Sequence, residues 1–447
     1  MRVNRLWLTL PLALVLFVAV PVSTAPAGGQ AATATATLSD GVALTAPERV
    51  GFSSDSLKDL DAAMQGIIDA KHLAGVVTLV ARHGKVVQHK AYGVQDVATQ
   101  TPMRLDTIMR IYSMTKPIAG AAMMMLLEEG KWQPTDPIAK HIPEFANLKV
   151  FSGMDANGQP ILVAPSHPPT MGELMSHNAG FTYGLFGNSP VDKMYQADNP
   201  LDAPSLQAFI DKVAKLPLLY QPGEKWVYSV SVDIQGYLVQ KLSGKTFPDF
   251  LRDRIFMPLG MKDTGFLVPA DKLSRVATIY AWDGKAGALG ASPRDPEISK
   301  MPGLPSGGGG LYSTAADYFR FAQMMLNGGE LDGKRLLKKS SVDAMRTNVL
   351  NDQTLNSKSG IGPVHLSPEL GFGYDFAVMR DPAALKSPYG KGTYWWWGIA
   401  GTWFFNDPTN DLLFIGMIQR RGGAPGAANH EDLARAVVYK ALTDPAK

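Results

Sequence analysis

The 447-residue chain contains no cysteine. That single absence excludes disulfides, thiolate metal ligands, a lipid-modified cysteine and a thiol nucleophile. A surplus of one charge is missing too: 43 Lys+Arg face 40 Asp+Glu, a formal net charge of +3. Such a balance gives no electrostatic case for nucleic acid or an anionic membrane as partner. The eight histidines show no His-Glu-x-x-His or other ligand spacing, so no metal site is expected. There is no Gly-x-Ser-x-Gly elbow. Gly307 to Gly310, the densest glycine run, lacks the following Lys-Ser/Thr of a phosphate loop and reads instead as a tight backbone passage beside a cleft. Long apolar runs are scarce. The exception, residues 6–20, is interrupted by Pro11, preceded by Arg2 and Arg5, and too short to span a bilayer. It reads as a secretory leader over 1–27, with Ala25-Pro26-Ala27 as the cleavage site, and predicts an exported protein, periplasmic or secreted, with no stable membrane insertion after leader removal.

The rest is globular in composition, with 45% apolar and 19% charged residues. An Ala/Thr-rich stretch makes 28–46 a flexible tether, and the folded domain is expected over 47–445. Near the start, two β-branched runs joined by His83-Gly84-Lys85 predict a hairpin. Near the end, a strand run from Tyr394 to Phe405 and another from Asp411 predict further sheet, separated by the turn after Asn406. Helical periodicity with recognisable stops appears over 56–71, 118–129, 232–242, 315–326 and 430–442. These signals predict one sheet assembled from both ends of the chain. The α/β lobe spans about 47–130 and 300–445, with an inserted, mainly helical lobe over about 131–299. A cleft between lobes is where a site is expected.

Ser113-Met-Thr-Lys116 opens the apolar helix that follows, and it contains the only serine with a lysine three residues later. That spacing puts hydroxyl and amine on one helical face, about 5–6 Å apart at Cβ. A serine hydroxyl is a weak nucleophile until a neighbouring base takes its proton, and a lysine serves as base only when burial favours its neutral form. The small and apolar residues from Ile118 to Leu127 supply that burial. Taken alone, the tetrapeptide reads more readily as a capping serine followed by a solvated lysine on an ordinary helix.

Arg110-Ile-Tyr-Ser113-Met-Thr-Lys116-Pro resembles the nucleophile motif of the β-lactamase-related serine hydrolases, in the branch of the family VIII carboxylesterases and class C β-lactamases. Segments around Thr170, Tyr228, Gly307 and Trp396 resemble the same family in order and spacing, over nearly all of 50–440. The resemblance implies the β-lactamase/transpeptidase-like fold, α/β plus α, with an antiparallel sheet built from both termini, flanked by helices and carrying the helical lobe as an insertion. It implies Ser113 as nucleophile, with Lys116 and Tyr228 as base and proton shuttle. It also implies an oxyanion hole from the backbone N–H groups of Ser113 and Ile399, and no cofactor. His177 resembles a structural loop histidine. Two departures stand out: Val230 replaces the asparagine of the family's Tyr-x-Asn, and Trp396-Trp397-Gly398 occupies the place of Lys-Thr-Gly. With Val230, Trp396, Trp397 and Gly398 as pocket residues, the expected substrate is a small, uncharged carboxylic ester. β-Lactamase or D-Ala-D-Ala-type peptidase activity and a silent binding protein on the same fold remain the alternatives.

Overall fold

The computed structural model describes residues 36–446 apart from 294, 296, 357–361, 363 and 424. The expected leader and the first part of the expected tether lie outside the described residues. From residue 36 the chain is already part of the sheet: Ala36–Thr37 pairs with Ala43–Leu44, and Leu44 pairs in parallel with Val86. Asp40, between these short strands, brings its carboxylate to 3.1 Å from the buried His89 ring. Low-complexity composition hid this, because an edge strand takes its order from its neighbour rather than from its own side chains.

Five strands and five helices frame the site. Strands β1 (Gly75–Arg82) and β2 (Lys85–Asp96) form the expected hairpin, whose two turn residues, His83 (φ 52°) and Gly84 (φ 69°), both take left-handed backbone. Two such residues are what a two-residue turn matched to strand twist requires. The run expected as one strand from Tyr394 is two: β3 (Tyr394–Trp397) and β4 (Trp403–Asp407), antiparallel, with Trp397 opposite Trp403. Gly401 at φ 86° makes the reversal between them, and aromatic residues on both sides masked it. β5 (Leu412–Met417) returns alongside β1, so the sheet order is β2-β1-β5-β4-β3. Ala377–Met379 and Leu370–Phe372 extend the β3 edge. The two ends of the chain meet where β5 pairs with β1.

Both faces of the sheet are apolar, so alternation sends side chains to two cores. Val76 and Val80 of β1, with Leu412 and Phe414 of β5, pack under helices α1 (Ser54–Asp69) and α5 (His430–Lys440). On the other face Val77, Leu79, Ala81, Leu413, Ile415 and Met417 join the larger core. That core holds α2 (Thr115–Glu128), α3 (Ser231–Ser243) and α4 (Ala315–Leu326). Helix α2 is buried on all sides from Thr115 to Leu126, as a uniformly apolar helix must be. Residues 131–299 carry the short helices Met171–Met175, Pro190–Ala197 and Leu206–Val213 as well as α3. They share the larger core with the sheet, and Phe209, Leu238 and Met123 belong to it along with Leu79. Among the described helices none is long and apolar enough to cross a membrane.

Candidate active site

The peptide before α2 is bent out of ordinary conformation. Tyr112 takes φ 43°, and Tyr112–Met114 forms a 3-10 turn that ends where α2 begins. Left-handed backbone on a bulky residue costs energy and persists only where the surroundings impose it. Its result is positional: Ser113 stays partly exposed at the mouth of the turn, whereas Lys116, in the first turn of α2, is 1% exposed. The predicted spacing therefore holds across a 3-10 to α junction. Lys116 Nζ donates to Ser113 Oγ at 3.2 Å and to the Gly308 carbonyl at 2.6 Å.

Burial is the dominant influence on that amine. It pushes the Lys116 pKa down to about 8, against the opposing attraction of nearby acids, chiefly Asp233. The ring of Tyr228 lies 4.5 Å from Nζ and that of Tyr183 5.2 Å. Tyr228 is itself buried, which raises its pKa, while hydrogen bonds with Ser113 and Trp396 work in the other direction. Trp396 Nε1 donates to the Tyr228 hydroxyl at 3.1 Å. His177, Tyr183, Phe186 and Trp396 surround the Tyr228 ring with centroids at 5.0–5.5 Å. His177 is fully buried and held neutral, because burial and the Lys116 charge both push its pKa well below the usual range. Its Nδ1 accepts from the Ser229 N–H at 3.2 Å, a structural contact that fits the expected role.

Gly308, from the glycine run read as a backbone passage beside a cleft, and two acids that sequence reasoning did not single out, Asp233 and Asp375, complete the arrangement. Gly308 approaches so closely that a Cβ there would lie 2.4 Å from Tyr183 Oη and 2.5 Å from Asp233 Oδ2. Its carbonyl is thereby free to hold Lys116. Asp233 accepts from the Gly308 N–H at 3.0 Å, from Ser306 Oγ at 2.5 Å and from Tyr183 Oη at 3.2 Å. It thus fixes the loop that fixes the lysine. Asp375 is buried with one weak side-chain bond, from Gln235 Nε2 at 3.3 Å, and burial raises its pKa well above the usual carboxylate value. A carboxylate in the apolar pattern around α3 was the available signal for Asp233; nothing local marks Asp375.

The remaining predicted residues divide. Ile399 is 55% exposed in the turn between β3 and β4, and that turn is docked beside Ser113, since Thr402 Oγ1 donates to the Ile111 carbonyl at 3.2 Å. Trp397 is half-buried, with its ring 4.7 Å from Trp396. Val230, the N-cap of α3, and Trp396 are each 1% exposed, and Gly398 is buried. These three present no open surface to a substrate. Trp396 acts on Tyr228 from behind rather than forming the pocket wall expected from sequence. Val230 belongs to the core.

With this geometry established, comparison with known proteins places the chain. Residues 60–439 match the family model described as Beta-lactamase. Protein Rv1367c of Mycobacterium tuberculosis is 36% identical over 362 residues, covering 80% of this chain and 88% of that protein. Esterase EstB of Burkholderia gladioli is 30% identical over 372 residues, 77% of this chain and 86% of the esterase. Among solved structures, EstCE1, described as a hydrolase with promiscuous acyltransferase activity, superposes with a TM-score of 0.72. It is 23% identical and covers 86% of this chain and 98% of its own. The fold is that of the β-lactamases and transpeptidases.

Proposed function

The chain belongs to the beta-lactamase family, and from that premise we propose that it is a serine hydrolase of carboxylic esters working through an acyl-enzyme on Ser113. The observation that carries the reading is the buried amine of Lys116, 3.2 Å from the Ser113 hydroxyl with its pKa pushed down to about 8. A base with its pKa near the working pH is both neutral often enough and basic enough to take the serine proton. Ser113 Oγ attacks the ester carbonyl as Lys116 removes its proton. Tyr228, next to both groups, passes that proton to the leaving alkoxide. The N–H groups of Ser113 and Ile399 face the developing oxyanion. Water then enters by the reverse relay and frees the acid. Resemblance to an esterase at 30% identity supports the ester as substrate over the lactam. The apolar leader of residues 6–20 supports export to the periplasm or medium.

The test is Ser113→Ala in the mature protein. A folded variant whose kcat on nitrophenyl butyrate falls at least about 10³-fold is expected, together with loss of fluorophosphonate labelling at that residue. Turnover within tenfold of the parent would overturn the assignment. Failure of the parent itself to label would favour a silent binding protein.

A further inference from the structure

A separate cavity of about 270 Å³ is bordered by Tyr112, the residue before the nucleophile. Two arginines in its lining converge on that one ring: the Arg110 guanidinium carbon lies 4.7 Å and that of Arg421 5.2 Å from the Tyr112 centroid. Arg421 also donates to the Tyr112 hydroxyl, and Arg110 stands 5.7 Å from the ring of Tyr312. Among the described residues neither arginine forms an ion pair, and Arg110 Nε is buried without a hydrogen-bond partner. Asp295 is the one acid in the described lining and pairs with neither.

The arginines are held there by design of the backbone rather than by surface chance. Gln419 spends its side-chain amide on Arg110, donating from Nε2 to the Arg110 carbonyl at 3.0 Å and accepting from the Arg110 N–H at 3.2 Å. This locks Met109–Arg110 to the segment that carries Arg421. Next to it, the Arg420 N–H donates at 2.8 Å to the carbonyl of Ala400, the neighbour of Ile399. The cavity therefore adjoins both backbone segments that flank the reacting carbonyl, one through Tyr112 and the other through Arg421.

Both guanidiniums lack a carboxylate partner among the described residues, and their planar donor forks match a carboxylate held bidentately. We propose that this cavity is a carboxylate subsite, and that the preferred substrates are esters carrying a carboxylate on the portion that extends past Tyr112. The inference rests on the hydrolase reading and replaces the expectation of an uncharged ester. The cation missing from the strand at Trp396 and Trp397 is supplied instead by Arg110 and Arg421.

Two matched pairs of substrates test it. 4-Nitrophenyl hydrogen glutarate against 4-nitrophenyl pentanoate places the charge on the acyl side; the butyrate esters of 4-hydroxybenzoate and 4-hydroxybenzamide place it on the alcohol side. In one pair the acid ester has the higher kcat/KM. Replacing the exposed Arg421 (R421Q) lowers that acid-to-neutral ratio at least about 10-fold, whereas Asp295→Asn raises it, since the competing carboxylate is gone. Salt weakens the preference in the parent and much less in R421Q. Hydrolysis of the neutral esters with both ratios unmoved by either variant sinks the subsite and leaves the hydrolase standing. No turnover of any of the four esters sinks the hydrolase reading and the subsite with it.

Discussion

Two buried cations on opposite faces of the sheet are treated differently. Arg82, at the end of β1, has a side chain only 5% exposed, yet every arm of its guanidinium finds an acceptor. Nε donates to the Asn410 carbonyl at 2.9 Å, Nη1 to the Val50 and Gly51 carbonyls and the Asp444 carboxylate, and Nη2 to the Asp444 carbonyl at 3.2 Å. Lys116, equally enclosed, has one hydroxyl, one carbonyl and two aromatic faces. The first cation ties three distant stretches of chain together. The second is left short of acceptors, and the shortfall is what makes its neutral form accessible. Burial alone does not separate a structural cation from a catalytic one; the count of acceptors does.

The strongest way to break this comparison is to remove the base. Lys116→Ala is expected to lower kcat at least about 10³-fold, and Lys116→Arg, which restores the charge but cannot give up its proton, should be no better. Adding Tyr228→Phe to Lys116→Ala should cost far less than Tyr228→Phe costs in the parent, because the two serve one proton transfer. Measured acylation rates that multiply, or an active K116R enzyme, would show that Lys116 acts as a fixed charge. On the other side of the sheet, Arg82→Met leaves the Asn410 and Val50 carbonyls without the donor that Arg82 supplies. It should lose about 3 kcal/mol of unfolding free energy by denaturant titration, with kcat unchanged in the protein that remains folded.

The contrast also explains what could be read from sequence. Ser113 and Lys116 are three residues apart, so their contact is a local consequence of helical geometry, and the sheet joining both termini follows from the β-branched and aromatic runs. Arg82 gave no signal, because its acceptors sit at positions 50, 51, 410 and 444 and, apart from the Asp444 carboxylate, are backbone carbonyls, which composition cannot show. The Trp396 to Tyr228 bond spans 168 residues and was equally hidden. Asp375 became visible only once the fold enclosed it, whereas the apolar pattern around Asp233 was a signal left unused. Where sequence reading failed locally, at Ala36–Thr37 and at the reversal before Trp403, strand pairing had overridden composition.

A smaller effect sharpens the comparison through pH. The amine must be neutral to accept the serine proton, so the active fraction grows as pH rises through the Lys116 pKa of about 8 and is complete above it. The profile of kcat/KM is therefore expected to climb to a plateau above about 9 and to stand roughly 10²-fold lower at pH 6. Were Lys116 satisfied like Arg82, its pKa would stay near that of a free amine, and the rise would continue beyond pH 10.

The smallest predicted effect separates two roles for Trp396. As a pocket wall, the role expected from sequence, its loss would weaken substrate binding and raise KM. The structure instead buries it and turns its N–H to the Tyr228 hydroxyl at 3.1 Å. That bond opposes the rise that burial imposes on the Tyr228 pKa, so it favours the state in which the phenol has given up its proton. Trp396→Phe keeps the aromatic packing against Tyr228, whose centroid lies 5.3 Å away, and removes only the donor. One neutral hydrogen bond contributes about 1 kcal/mol, which sets the expected loss in kcat at roughly fivefold. KM should stay within twofold, because a residue 1% exposed has no surface for the substrate to leave. A rise in KM with kcat intact would return Trp396 to the pocket wall and leave the Tyr228 hydroxyl without a demonstrated partner in proton transfer.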